Sequence, residues 1–287
     1  MCKLRHHTVG DDIKLKTCAC KLVKYCTVNC QKNHRSQHKK ICKKGLAKLR
    51  DDDLFKMPDG THLGECPICC LPLSLDLELS FLTSCCSKNI CNGCNYANRE
   101  REREGGLEHR CPYCREPAPN SDEEAEKNAA KRIKAGDPVA IRRKGVDARL
   151  AGNYSVALEY LMKAAKMGDV EAHMQLGYMF DSLSSCPYLD IKKAMHHYEE
   201  AAIGGHPGAR NNLAAIENNI YFREERAVKH FIIAASLGCD TSLAALQHLY
   251  KHGRVKKEEL AAAYRAHHAA VEATKSSQRE AERKGKS

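Results

Sequence analysis

Residues 66–114 carry four cysteine pairs in order: Cys66-Pro67-Ile68-Cys69, Cys85-Cys86, Cys91-Asn92-Gly93-Cys94 and Cys111-Pro112-Tyr113-Cys114. Three of these pairs are Cys-x-x-Cys turns, which point both sulfurs inward and offer backbone N–H groups to them. Eight thiolates are enough for two tetrahedral sites, so the pattern predicts a small module held together by two structural zinc ions.

The other cysteines follow the same trend, because 15 of the 17 lie in the first 114 of the 287 residues. The sequence shows no apolar N-terminal stretch typical of a signal sequence and no run of about 18 apolar residues that could span a bilayer. We therefore expect an intracellular protein, in the cytoplasm or the nucleus, with no membrane partner. In a reducing compartment, dense cysteines indicate metal ligands rather than disulfides.

The pattern from Cys66 to Cys114 resembles a RING finger, in which alternate ligand pairs share each metal. The resemblance implies one zinc on Cys66, Cys69, Cys91 and Cys94, and a second on Cys85, Cys86, Cys111 and Cys114. Lys88 stands where many relatives have a histidine ligand, and an ammonium group cannot bind zinc. The adjacent cysteines are therefore the expected ligands. Cys70 is surplus and is expected to be a small packing residue.

RING fingers recruit ubiquitin-conjugating enzymes charged with ubiquitin, and the resemblance assigns this contact to Ile68, Pro112 and Arg115. Ile68 would present an apolar side chain, and Pro112 would rigidify the last Cys-x-x-Cys turn. Arg115 would bridge the enzyme and ubiquitin, since a guanidinium can hydrogen-bond to two chains at once. Catalysis would come from positioning the thioester, with no catalytic residue in the finger.

The segment after Cys94 argues against ligase activity. It reads Asn95-Tyr96-Ala97-Asn98 and continues as an alternating Arg–Glu run over 99–104, where ligase fingers usually carry a bulky apolar residue. Tyr96 or Leu107 could take that place. The alternative is a non-enzymatic adaptor, in which the zinc modules and the rest of the chain only bind proteins.

A second cysteine-rich region precedes this finger. Residues 25–31 and His38-Lys39-Lys40-Ile41-Cys42 resemble the MYND zinc finger, with a short helix expected over 31–50. The resemblance implies one site formed by Cys18, Cys20, His38 and Cys42. Cys26 and Cys30 would combine with a pair nearer the N-terminus, where Cys2 lacks a cysteine partner. His6 or His7 could substitute, or the module binds one zinc instead of two. His34 is expected on the surface.

The positive charge of the chain is confined to this first region. Residues 1–50 carry a net charge of +12, whereas the remaining residues carry −1. A basic surface can bind nucleic acid or chromatin, but only Tyr25 interleaves with the lysines, so base stacking has little support. The solvated surface of a small zinc module is the preferred explanation, and a nucleic-acid tether is the weaker hypothesis.

The C-terminal half repeats a pattern of paired alanines followed by glycine. Its copies are Ala157…Ala164-Ala165…Gly168, Ala194…Ala201-Ala202…Gly205, Ala227…Ala234-Ala235…Gly238 and, degenerate, Ala262…Ala269-Ala270. Starting from Gly136, the glycines are 32, 37 and 33 residues apart. A period near 35 with helical spacing predicts an α-solenoid of helix pairs, each glycine forming a left-handed cap. The expected core residues are Leu161, Leu176, Tyr198, Leu213, Phe231 and Leu246.

The repeats resemble Sel-1-like repeats, relatives of the tetratricopeptide repeat, with Lys163-Ala164-Ala165-Lys166-Met167-Gly168 among the clearest copies. In that family the concave face binds other proteins. We expect the pairs His196-His197 and His267-His268 to be solvated, and Cys186 and Cys239 to be small buried residues. A helix is expected to start at Ser121.

These observations predict two small zinc-stapled modules, MYND-like and RING-like, followed by an all-α solenoid of helix-pair repeats. The predicted regions are a basic finger over 1–50, a linker over 51–65, the RING-like finger over 66–117, a polar linker helix over 118–135, repeats over 136–272 and a fraying charged tail over 273–287. The leading hypothesis is a ubiquitin ligase whose solenoid captures a protein substrate.

Overall fold

The computed structural model describes residues 16–25, 28–181 and 188–284. The chain forms two compact units, residues 1–56 and residues 57–287. Among the helices of the described residues, none is long and apolar enough to cross a membrane.

In the first unit, a two-stranded antiparallel sheet precedes one long helix. Strands β1 (Lys16–Thr17) and β2 (Lys24–Tyr25) pair, and helix α1 spans Val28–Leu54. The helix is longer than the segment 31–50 expected from the sequence, because its lysines and arginines favour helix and proline is absent. Cys18, Cys20 and Tyr25 form the small buried cluster of this unit.

The second unit contains, after a short segment over 57–65, what we call the cysteine module, residues 66–117. It contains strand β3 (Ser80–Leu82), which pairs antiparallel with strand β4 (Asn89–Cys91), and helix α2 (Asn92–Glu104). Its buried core consists of six residues, namely Cys66, Leu73, Ile90, Cys91, Cys94 and Cys111. Four of the six are cysteines, so hydrocarbon burial alone contributes little to the stability of this module.

Ten further helices follow the cysteine module in the described part of the chain. Their bounds are α3 Asp122–Lys134, α4 Pro138–Leu150, α5 Tyr154–Lys166, α6 Val170–Asp181, α7 Ile191–Ile203, α8 Pro207–Asn219, α9 Glu224–Ser236, α10 Asp240–Lys251, α11 Lys257–Glu272 and α12 Ser277–Lys284. Helix α3 starts as the sequence predicts, because the Glu124 N–H donates to the Ser121 hydroxyl at 3.2 Å.

Helices α4 to α11 form the predicted solenoid of helix pairs. The four repeat glycines, Gly136, Gly168, Gly205 and Gly238, all have φ between +77° and +92° and end their helices in the left-handed conformation. Gly152 and Gly253 do the same at other loops and were not singled out from the sequence. The predicted core residues are buried, with Leu161, Leu176, Tyr198, Leu213 and Leu246 at 0% exposure and Phe231 at 7%.

The fourth copy of the alanine pattern differs from the other three. In α11, Ala262 and Ala269 are exposed, whereas Ala263 is buried. Among the described repeat helices, α11 packs mainly against α9 and α10, which leaves part of its surface free to be polar. The copy therefore closes the solenoid.

The expectation of solvated histidine pairs is wrong for His197. Its side chain is buried and stacks on Phe180 at a ring-centroid distance of 5.7 Å, and its Nδ1 lies 3.0 Å from His173 Nδ1. Burial lowers the pKa of His197 to about 4, so the ring is neutral at physiological pH. His196 and His268 are exposed as expected, whereas the His267 side chain is only 13% exposed and its Nε2 lies 2.8 Å from Asp240 Oδ1.

The fully buried His230 of α9 gives the solenoid a testable pH dependence. Burial lowers its pKa from 6.5 to about 3, so the folded protein binds no proton there in a range where the unfolded chain does. The free energy of unfolding should therefore fall as the pH drops below 6.5, by about 1 kcal/mol between pH 7 and pH 5.5.

Denaturant unfolding of the full chain at both pH values, compared with the His230→Leu variant, measures this contribution. Other titrating groups affect both proteins equally and cancel in the difference. The variant should lose about 1 kcal/mol less than the wild type on acidification. An identical pH dependence in the two proteins would contradict the prediction.

Candidate metal centres

Three groups of four side chains bring metal-ligating atoms within 4.8 Å of one another. The first unit contains Cys18, Cys20, His38 and Cys42; the cysteine module contains Cys66, Cys69, Cys91 and Cys94, and separately Cys85, Cys86, Cys111 and Cys114. These are the three groupings that the two family resemblances imply. The groups of the cysteine module interleave along the chain, since the first and third pairs form one group and the second and fourth form the other.

The first group connects a turn between β1 and β2 to helix α1. Cys20 Sγ lies 3.1 Å from His38 Nε2, and Cys18 Sγ lies 3.7 Å from Cys42 Sγ. His38 and Cys42 are four residues apart and share one face of α1. The backbone N–H of Cys20 lowers the pKa of Cys18 to about 7, whereas burial raises that of Cys42 to about 11. His34 is partly buried and its Nδ1 lies 3.1 Å from the Tyr25 hydroxyl, outside the group.

Several predicted ligands of the first unit lie outside the described residues, namely Cys2, His6, His7 and Cys26. Cys186, expected to be buried in the repeats, lies outside them as well. Cys30 is described and packs against the cluster of Cys18, Cys20 and Tyr25. Cys239 is buried as expected.

The two Cys-x-x-Cys turns at the ends of the cysteine module have the same backbone geometry. Cys66 O accepts from the Cys70 N–H at 2.8 Å, and Cys111 O accepts from the Arg115 N–H at 3.0 Å. In each turn the residue after the second cysteine has positive φ, +56° at Cys70 and +63° at Arg115. Residues without glycine's freedom adopt this conformation only where their surroundings fix it, and here it lets both sulfurs point to one site.

Cys70 is therefore a turn residue, and the expectation that it packs in the interior is wrong. Its side chain is exposed. Ser87, with φ of +54°, takes the equivalent place in the turn that contains Cys85 and Cys86. The sequence carries no signal for these positions, because the residue types are unrelated and none is glycine.

The chemistry of the four-cysteine groups suits a zinc ion. A hydrogen bond from Cys91 lowers the pKa of Cys66 to about 4, while burial raises that of Cys94 to about 12. Closely spaced thiolates repel one another, so a divalent cation is what allows all four to be deprotonated together. Zinc, which prefers tetrahedral sulfur and nitrogen ligands, is the expected cofactor of all three groups.

Two of the residues assigned to enzyme contact are accessible. Ile68 is 41% exposed, Arg115 is exposed and Pro112 is partly buried. The Arg115 guanidinium donates through Nη1 to Asn98 Oδ1 at 3.1 Å. This hydrogen bond to α2 orients the Arg115 side chain while leaving it in solvent.

The alternating Arg–Glu run of α2 has one inward-facing member, which sequence reasoning did not identify. Glu102 is 4% exposed and accepts from His109 Nδ1 at 2.8 Å and from the Arg110 N–H at 3.3 Å. Burial raises the pKa of Glu102, but hydrogen bonds from His109 and Asn98 outweigh it and leave the pKa below its usual range. The Arg–Glu run is therefore not wholly a solvent-exposed surface, because Glu102 connects α2 to the segment just before Cys111.

A fourth group, His62, Glu171 and His206, also has ligand atoms within 4.8 Å. The Ala209 N–H donates to His206 Nδ1 at 3.1 Å, so the neutral imidazole carries its proton on Nε2. That proton points at Glu171 Oε2, 2.9 Å away, where a metal would have to bind. His62 Nε2 reaches the same oxygen at 3.3 Å.

This fourth group is accordingly a hydrogen-bonded contact between residues preceding the cysteine module and the solenoid. The two imidazole rings stack with centroids 3.9 Å apart, and the backbone N–H of His62 donates to Gly205 O at 3.0 Å. Burial raises the pKa of Glu171, but hydrogen bonds from His206 and His62 outweigh it and hold the pKa well below its usual range. The carboxylate is therefore a charged acceptor.

Comparisons with known proteins agree with parts of this description. Residues 2–42 match the family model of the MYND finger. No curated protein matches the chain.

Two solved structures resemble the chain. A protective antigen of uropathogenic Escherichia coli with an SLR fold is 23% identical, with a TM-score of 0.43, over 51% of this chain and 32% of the antigen. A Sel1 repeat protein from Oxalobacter formigenes is 21% identical, with a TM-score of 0.45, over 63% of this chain and 74% of that protein. The chain thus spans about a third of the antigen's length.

The described elements fall into two kinds along the chain. Zinc-binding modules precede a solenoid of helix pairs, which offers an extended surface suited to binding other proteins. The described residues therefore combine candidate zinc-binding groups with a solenoid of helix pairs.

Proposed function

We propose that the chain is a RING-type ubiquitin ligase. Its cysteine module would recruit a charged ubiquitin-conjugating enzyme, and its solenoid would hold the protein substrate. The observation that carries the proposal is the interleaving of two four-cysteine groups in one module. That arrangement is similar to the cross-brace of the RING family, and it accompanies an accessible Ile68 and an accessible Arg115.

In this proposal the ligands of the cysteine module are Cys66, Cys69, Cys91 and Cys94 for one zinc, and Cys85, Cys86, Cys111 and Cys114 for the other. Bound zinc would have a structural role, because four protein ligands leave no open position for water. The first unit would bind zinc through Cys18, Cys20, His38 and Cys42. The scaffold would act in the cytoplasm or nucleus.

The residues of the chain would act by positioning. Ile68 supplies apolar contact area to the conjugating enzyme, and the Arg115 guanidinium can hydrogen-bond to enzyme and ubiquitin together. Its hydrogen bond to Asn98 restricts the side chain before the partner arrives, which lowers the entropy lost on binding. A substrate lysine attacks the thioester, so the finger needs no nucleophile.

A ubiquitination assay with the full-length protein tests this proposal. The protein is incubated with ubiquitin, activating enzyme and a panel of conjugating enzymes, and ubiquitin chains are detected on a gel. Ile68→Ala should slow chain formation about 10-fold, as expected for the loss of one central apolar contact. Arg115→Lys keeps the positive charge but loses the planar set of N–H donors of the guanidinium, and should slow chain formation to a similar extent.

Two matched variants control for unspecific effects. Leu77→Ala removes another exposed apolar side chain, 78% accessible, next to the cysteine module's strands. Arg103→Lys makes the same exchange as at position 115 on the exposed surface of α2. Both should keep the wild-type rate. Zinc content and circular dichroism establish that every variant is folded.

The adaptor is the second candidate function, and the polarity of α2 favours it. The helix places arginines and glutamates where ligases present an apolar side chain. If the fully metallated protein forms no ubiquitin chains with any enzyme of the panel, the ligase proposal is wrong and the adaptor is preferred.

A further inference from the structure

The last described helix, α12, packs against helix α2 of the cysteine module, although sequence reasoning expected the charged tail to fray. Gln278 Nε2 donates to Gly93 O at 3.3 Å. A Cβ atom at Gly93 would lie 2.8 Å from the Arg279 Cα and 2.9 Å from its backbone nitrogen. The two backbones therefore touch at Gly93, inside the Cys91-Asn92-Gly93-Cys94 turn, and no larger residue fits there.

Arg279 extends from this helix to the first Cys-x-x-Cys turn. Its Nη1 donates to Pro72 O at 2.7 Å and to Thr274 O at 2.6 Å, and its Nη2 donates to Leu71 O at 3.1 Å. The same Leu71 carbonyl accepts from the Cys66 N–H at 2.9 Å, which closes the turn. Arg279 thus holds the turn through a carbonyl that already fixes one of its cysteines.

The guanidinium also reaches a sulfur. Arg279 Nη2 lies 3.4 Å from Cys69 Sγ and donates to it. A zinc ion with four thiolates carries a net charge of −2, and a cation beside one sulfur offsets part of that charge. Hydrogen bonds from outside the ligand set also orient the ligands.

We propose that Arg279 is a positioning residue for the zinc site of Cys66, Cys69, Cys91 and Cys94, and that α12 is an integral part of the cysteine module. Zinc retention at this site then depends on a residue that follows the four ligands by 185 to 213 positions. Because Ile68 stays 41% exposed, the helix supports the site without covering the residue proposed to contact a conjugating enzyme. The inference does not depend on ligase activity.

Metal exchange on the full-length protein tests the proposal. Arg279→Met keeps the stem of the side chain and removes its donors, whereas Arg265→Met makes the same exchange at an exposed position of α11. Zinc should transfer to a colour-forming chelator about 10-fold faster from one site of Arg279→Met than from the same site of the wild type. This factor is the lower end of the range expected when a residue that hydrogen-bonds to a metal ligand is removed. Arg265→Met should match the wild type.

Cadmium-113 NMR separates a direct effect on sulfur from a general loosening. In the cadmium-substituted protein, Arg279→Met should shift one four-sulfur resonance and leave the resonance of the Cys85, Cys86, Cys111 and Cys114 site in place. Unchanged resonances and unchanged zinc transfer would overturn the proposal. So would equal shifts of both resonances, because they indicate that α12 only stabilises the module as a whole.

Arg279→Lys keeps the inference testable if Arg279→Met does not fold. Lysine retains the charge but cannot donate to the carbonyls and the sulfur together. It should shift the same single cadmium resonance and give an intermediate rate of zinc transfer. Wild-type behaviour of Arg279→Lys in both measurements would count against the role of the guanidinium fork.

Discussion

A strong chelator should remove the folded structure of the cysteine-rich part of the chain, residues 1–115, while the helices α3 to α11 remain. Four of the six buried core residues in the cysteine module are cysteines, and the first unit buries little beyond Cys18, Cys20 and Tyr25. Structural zinc contributes on the order of 10–16 kcal/mol of apparent binding free energy in small finger peptides, which is more than such cores supply.

Circular dichroism during chelation, combined with elemental analysis, measures this effect. The helical signal should fall only by the share of α1, α2 and α12, and limited proteolysis should then cut before residue 115 and spare the repeats. The intact protein should contain three or four zinc ions, two of them in the cysteine module. Loss of the entire helical signal in one step would contradict a solenoid that folds without metal, and two zinc ions would leave the first unit without any.

The second large effect is expected from Gly177→Ala in helix α6. A Cβ atom at Gly177 would lie 2.5 Å from the Cδ1 and Cε1 atoms of Tyr198, a residue of α7 that is fully buried. The Tyr198 hydroxyl is also hydrogen-bonded, at 3.2 Å, to Asp181 Oδ2, so the ring cannot move aside freely. We expect a loss of about 3 kcal/mol, the upper part of the range for overpacked cores.

Thermal unfolding of the full-length variant checks this prediction. A loss of that size should lower the Tm by about 6–12 °C in a unit of this length. Gly60→Ala is the matched control, because a Cβ atom there meets nothing within 4 Å and the backbone conformation is ordinary. A Tm of Gly177→Ala within 1 to 2 °C of the wild type would contradict the prediction, because it would mean that Tyr198 can move to make room for the added methyl group.

Much of this architecture could be predicted from local patterns. The pattern of paired alanines and a glycine recurs about every 35 residues, which predicted the helix pairs and their core residues. The repeat glycines have positive φ, so their positions also predicted where those helices end. The groups of four cysteines followed from family resemblances, because Cys-x-x-Cys turns have a defined geometry. Both patterns involve residues that are close together in the sequence, and each pattern occurs several times.

The contacts that were missed join residues far apart in the sequence. Arg279 meets Cys69 and His62 meets Glu171, and nothing in the local composition of either partner marks the pair. The burial of His197 was not predicted, because a histidine does not indicate by its residue type whether it lies on the buried or the exposed face of a helix. His196, next to it on the same helix, is exposed. Positive φ at Cys70 and Arg115 depends on closing a metal-binding turn, which residue preference does not encode.

The contact of His62 with Glu171 and His206 limits where this protein could act on a bound protein. It fastens the residues just before the cysteine module to the solenoid, and α12 fastens the far end of the chain to the same module. Because the cysteine module is held at two points, it cannot rotate far relative to the solenoid. If it delivers ubiquitin, the lysines it reaches are chosen by their distance from the docking surface, and unstructured segments of a target are modified only where they extend that far.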